Sequence, residues 1–163
     1  TIGRWTDNVF HFMPSGNENS TSTGANAGED ISKYATLREA LASVGIDENL
    51  APTWCPDGFT ASEPETVNSS VGNAVYFILS GRDGEFISLD FIRYHSRENL
   101  KDTLFEKDVK GVEQYSNGEQ TFYILSNIDT ITATWSDGLI MAQFSGDTTE
   151  DILKKLIDSV GGR

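Results

Sequence analysis

The sequence predicts an α+β fold: an antiparallel β-sheet meander of about five to seven strands, a short helix in the N-terminal half, and a C-terminal amphipathic helix packed on one face. Three observations carry this. Strand-like runs rich in branched and aromatic residues recur after Phe59. They are separated by Gly81-Arg82-Asp83-Gly84, Asn117-Gly118 and Asp137-Gly138, whose readiness for positive backbone angles closes hairpins and forces neighbours antiparallel. Two segments, one early and one terminal, instead space their apolar residues by three and four.

Residues 1–14 read as an N-terminal strand segment, because Phe10 and Phe12 alternate with polar neighbours after an ambiguous first turn. Residues 15–30 contain Ser, Gly, Asn, Thr, Ala and acids but no aromatic or branched aliphatic side chain, so they read as a flexible linker. Residues 31–163 then form a single α+β domain, which the N-terminal strand is expected to join.

Thr36-Leu37-Arg38-Glu39 has the pattern of a capping box, and Leu37, Ala40, Leu41 and Val44 continue at helical spacing to Gly45. Two prolines and Asp57-Gly58 make Pro52 to Phe59 a rigid turn anchored by Trp54 and Phe59. Strands are expected over 74–80, 86–94, 112–115, 121–126, 130–135 and 139–144. In the second of these, Ile87, Leu89, Phe91 and Arg93 share one face and Phe86, Ser88, Asp90 and Ile92 the other, so one face is the more apolar. Residues 96–108 have poor apolar spacing and read as a loop or irregular edge in which Arg97-Glu98-Asn99-Leu100 begins a helical turn. Ile152, Leu153, Leu156, Ile157 and Val160 form the apolar face of the last helix, with acids in its first turn complementing the helix dipole.

Composition narrows the function classes. Twelve basic and twenty-five acidic residues give a formal charge of -13, the wrong sign for holding a phosphate backbone or an anionic membrane surface. Nucleic acid is therefore not an expected partner. Three Trp, nine Phe and five Tyr supply a core without disulfides, and Cys55, the lone cysteine, excludes an intrachain bridge and any Cys-x-x-Cys motif. No run of about eighteen apolar residues occurs, so a membrane connection is expected only through a segment upstream of Thr1.

The order of Arg4-Trp5 to Phe12, Tyr34 to Leu41 and Leu50-Ala51-Pro52-Thr53-Trp54-Cys55-Pro56-Asp57-Gly58-Phe59 resembles the DUF4367 family, with its Trp-x-Pro-x-Gly-aromatic turn. The family's closing pattern, a Trp-containing hairpin, a short polar segment and a helix, is similar to Ile131 to Gly138, Phe144 to Asp147 and Glu150 to Val160. Cys55 within the first turn is a departure at a permissive position. The resemblance implies an extracytoplasmic domain carried behind a membrane-spanning helix in Gram-positive bacteria, in some cases in anti-sigma-factor-like proteins. It implies no catalytic residues.

The residues themselves offer little chemistry. His11 and His95 sit in or beside strands and outside any nucleophile motif, so no catalytic residue is assigned. No His-x-x-x-His, cysteine pair or EF-hand loop occurs. Asp83, Glu85, Asp147, Glu150 and Asp151 read as solvated turn and helix-start acids rather than as a calcium site, and neither a metal nor a cofactor is expected. Trp54 and Trp135 are the aromatic binding candidates, weighed against the stronger expectation that both pack into the core. The expectation is a non-enzymatic sensing or interaction domain for an unknown protein, peptide or envelope ligand. The alternatives are a hydrolase whose carboxylates converge only in the fold, and a structural spacer of a surface protein.

Overall fold

Alternation along the strands sorts apolar side chains onto the two faces of a nine-stranded antiparallel sheet in the computed structural model, which describes residues 2–6, 8–13 and 30–161. The chain runs β1 (Ile2–Trp5), β2 (Val9–Met13), β3 (Asp30–Lys33), α1 (Leu37–Ser43), a 3-10 turn at Glu48–Leu50, β4 (Thr60–Ala61), β5 (Glu65–Asn68), β6 (Gly72–Ser80) and β7 (Phe86–Tyr94). It continues through α2 (Arg97–Lys101), β8 (Leu104–Glu106), β9 (Glu113–Ser116), β10 (Thr121–Asn127), β11 (Thr130–Asp137), β12 (Ile140–Gly146) and α3 (Glu150–Asp158). This is the α+β architecture the sequence implies, with the C-terminal helix in place. Apart from Asp30, the linker expected over 15–30 lies outside the described residues.

The main sheet has the order β3-β5-β6-β7-β12-β11-β10-β9, with β4 also paired to β6. It exceeds the five to seven strands expected because β3, β4 and β5 are short, polar edge pieces whose sequences carry little periodic signal. The meander holds within β5–β7 and within β9–β12 but breaks between them. There β7 pairs with β12, from Ile87 opposite Gly146 to Arg93 opposite Ile140. The reason is the connection over 95–112: short turns dictate which strands are neighbours, and this long one does not. It carries α2 and β8 where the sequence predicts mostly loop. Ser96 caps α2 by accepting from the Asn99 amide at 3.2 Å.

One face of the main sheet is covered by α1, the 3-10 turn and α3. Phe144 lies between Phe91 and Phe122, with ring centroids at 5.8 and 5.5 Å, and all three are fully buried. Leu37, Ala40 and Leu41 of α1 and Leu153, Leu156 and Ile157 of α3 close over them. Each of the buried Phe, Leu and Ile side chains contributes about 1.5–3 kcal/mol on burial. The caps fit the sequence: Thr36 accepts from the Glu39 amide at 3.2 Å and Thr149 from the Ile152 amide at 3.4 Å. Arg93 Nη1 donates to the Gly45 carbonyl at 3.1 Å, which ties β7 to the turn that follows α1.

The N-terminal residues form a hairpin rather than a single strand, and β2 pairs with β8 to give a separate three-stranded sheet. Phe10, Phe12 and Phe105 from that sheet pack with Tyr94, Leu125 and Met141, on the face of the main sheet opposite the helices. The approach is close at Gly3. Its amide donates to the Tyr123 hydroxyl at 3.3 Å, and a Cβ there would meet Phe10 at 2.7 Å and Tyr123 at 2.9 Å. The small sheet thus covers only part of the helix-free face.

Candidate functional site

The register across the main sheet lays out the rest of that face in rows. One runs Lys33, Glu65, Tyr76, Asp90, Gln143, Thr134 and Tyr123. The next runs Ile78, Ser88, Ser145, Thr132 and Leu125. At the Tyr123 and Leu125 end the rows pass beneath the small sheet, and Thr134 is fully buried. At the β6–β7 end they emerge: Tyr76, Ile78 and Phe86 are 40%, 42% and 46% exposed. Large apolar side chains on a solvent-facing sheet surface are the form that interaction surfaces take.

Asp90 stands among them. Ser88, two residues earlier on the same face, donates its hydroxyl to the Asp90 carboxylate. Burial raises the Asp90 carboxyl above the usual carboxylate range, and the Ser88 hydrogen bond draws it partly back. Thr132 and Ser145 share a hydroxyl hydrogen bond at 2.7 Å in the neighbouring row. The open face therefore combines a carboxylate, hydroxyls and a carboxamide with two exposed aromatic rings.

The two tryptophan candidates lie elsewhere. Trp54 is half-buried against the helix-side core with Lys155 Nζ 5.8 Å from its ring centroid, and Trp135 packs 6.5 Å from Phe122 on the same side. Their sheet and turn positions direct them under α1 and α3 rather than onto the open face. His95 is exposed beside Asn73, Arg93, Tyr94 and Leu139 in a depression of about 200 Å³. The His11 side chain lies outside the described residues. Cys55 is exposed, and burial followed by the Asp57 charge pushes its thiol up, which disfavours the nucleophilic thiolate.

Of the acids singled out in the sequence, Asp147 and Asp151 are exposed, and Asp83, Glu85 and Glu150 enter two local arrangements. Asp83 and Glu85 line a depression of about 380 Å³ at the β6–β7 turn with Asp57 and Arg82. Glu150 pairs with Lys154 at 2.5 Å, and Lys154 also reaches Glu113 at 2.7 Å, which fastens α3 to β9. Among the described residues no group of three or more His, Cys, Asp or Glu side chains is placed to hold a metal ion, and no helix is long and apolar enough to cross a membrane.

Tyr76, Ile78, Phe86, Asp90 and Gln143 escape a motif search because no local pattern joins them. The available signal was the alternation of Phe86, Ser88, Asp90 and Ile92, which places large apolar residues on the more polar face of β7.

Fold and site together define an α+β domain whose main sheet is roofed by helices on one face and partly covered by a small sheet on the other. The DUF4367 profile, described as a domain of unknown function, matches residues 49–160. The chain belongs to that family. The match extends from the 3-10 turn to the end of α3, so it takes in the whole β6–β7 surface. Comparison with curated proteins and with solved structures returns no match.

Proposed function

We propose that this chain is a non-enzymatic sensing or interaction domain, displayed outside the cell by a membrane-anchored bacterial protein of the anti-sigma-factor-like kind. Its working surface is the open face of the main sheet, which it presents to a protein, peptide or envelope ligand. The observation that carries this reading is the exposure of Tyr76, Ile78 and Phe86 around Ser88 and Asp90, on a face that the small sheet leaves uncovered. Apolar anchors grouped about a few oriented polar groups suit recognition of a partner. The extracytoplasmic part of the proposal draws its support from the family resemblance.

Two measurements test it. A photo-crosslinking residue in place of Phe86 is expected to give discrete adducts in cells, whereas one in place of exposed Arg38 on α1 gives none. Identical adduct patterns at both positions, or none at either, would overturn the interaction reading. A membrane-impermeant maleimide applied to intact cells is expected to label exposed Cys55, with the Cys55→Ser protein as control. Labelling only after lysis would overturn the location.

A further inference from the structure

Asp90 brings a carboxyl group to the open face beside Tyr76 and Ile78. Its polar partner is the Ser88 hydroxyl, and no ion pair involving it occurs among the described residues. Lys33, at the far end of the same row, is held by Glu65 at 3.3 Å and Glu63 at 3.7 Å. A half-buried carboxylate without a counter-charge is disfavoured when ionised, and an incoming cation recovers that loss.

The surroundings restrict what kind of cation fits. Tyr76 is the cross-strand neighbour of Asp90, Ile78 lies diagonally beside it opposite Ser88, and Phe86 follows beyond Ser88 on the same face. Ring faces attract a cationic head, and apolar side chains accept the methylene stem that carries it. A bare metal ion would leave those apolar groups unused, and an anion would meet a like charge. The formal charge of -13 favours the approach of a basic partner. The chain between β2 and β3 cannot supply the cation, because residues 14–29 contain no lysine, arginine or histidine.

We infer that the open face binds a peptide segment through a lysine or arginine side chain, its charged head paired with Asp90 and its stem laid across Tyr76 and Ile78. This rests on the reading of that face as the interaction surface and adds the chemistry of what it takes.

The test is a titration of the isotope-labelled full chain with three capped peptides, identical except for a central lysine, norleucine or glutamate, followed through the amide resonances of β6 and β7. The lysine peptide is expected to shift the resonances of Tyr76, Ile78, Ser88 and Asp90 and to bind about tenfold more tightly than the norleucine peptide. Asp90→Asn is expected to bring the lysine peptide down to the norleucine level. Equal binding of lysine and norleucine peptides at this face, or preference for glutamate, would overturn the inference while leaving the face as an interaction surface. Shifts confined to other parts of the molecule, or none with any peptide, would overturn both. The peptide comparison uses the unaltered protein, so it decides the matter even if the Asp90→Asn chain folds poorly.

Discussion

Asn117 and Ile157 are 40 residues apart, and the Asn117 Nδ2 donates to the Ile157 carbonyl at 2.9 Å. The same amide nitrogen donates to the Val160 carbonyl at 3.2 Å. In the sequence Asn117-Gly118 is a hairpin turn, and Gly118 does adopt a φ of +96°. In the fold the side chain of that turn also ties the hairpin to the end of α3, adding a second donor to the Ile157 carbonyl, which accepts from the Val160 amide at 3.0 Å. The Asn117 Oδ1, meanwhile, accepts from the Glu119 and Gln120 amides at 3.1 and 2.9 Å.

Asn117→Asp keeps the acceptor and removes the donor. It places a carboxylate against carbonyl oxygens at the negative end of the helix dipole. The expected loss is about 1–3 kcal/mol of stability. Chemical denaturation measures it, and an unchanged midpoint would mean that water replaces the side chain at no cost.

Asp90 makes a prediction about pH. Its carboxyl is raised in the folded protein relative to the unfolded chain, so the folded state binds the proton more tightly. The associated stability is therefore fully present below the unfolded value, near 4, and is lost as the pH rises through the folded value. Asp90→Asn abolishes this dependence and is expected to melt higher than wild type at pH 7, with the gap shrinking toward pH 3. A constant gap across that range would show that Asp90 does not titrate as described. Higher stability with lost peptide binding is the combination expected of a group retained for recognition.

Phe144→Ala opens a cavity between Phe91 and Phe122 under both helices. The expected cost is about 3–5 kcal/mol, measured as a shift in the unfolding midpoint. A loss below about 1 kcal/mol would imply that α1 and α3 collapse into the space, against the dense packing around the ring.

Ile128, in the two-residue β10–β11 loop, has a φ of +46° and is 88% exposed. A β-branched residue is strained in that region, and its exposed side chain gains little from packing. Ile128→Gly is expected to raise stability by about 1 kcal/mol. Thermal melting tests this, and a drop would show that the residue's contacts outweigh its backbone strain.

Much of this fold is legible in local pattern. Thr36 announces the start of α1, and its hydroxyl accepts the expected Glu39 amide. The alternation along β7 identifies Ile87, Leu89 and Phe91 as core-facing, and all three are buried. The Trp-x-Pro-x-Gly turn and the closing hairpin carry the family resemblance that the profile match over 49–160 establishes. The site was far less legible. Asp90 looks like any acid in a strand, and Tyr76 and Phe86 look like ordinary β-formers.

From the sequence alone follow the long strands β6, β7 and β9–β12, the turns that join them within each hairpin, the helices α1 and α3, and the core-facing side of β7. Those properties depend on neighbours within a few residues, through side-chain alternation, helical spacing and turn geometry. Long-range packing is what sets β7 beside β12 and joins the hairpin of β1 and β2 to β8 over one end of the helix-free face. Both depend on contacts made across long stretches of chain, where packing and not local conformation selects the partner. The open surface around Asp90 is what those two choices leave uncovered.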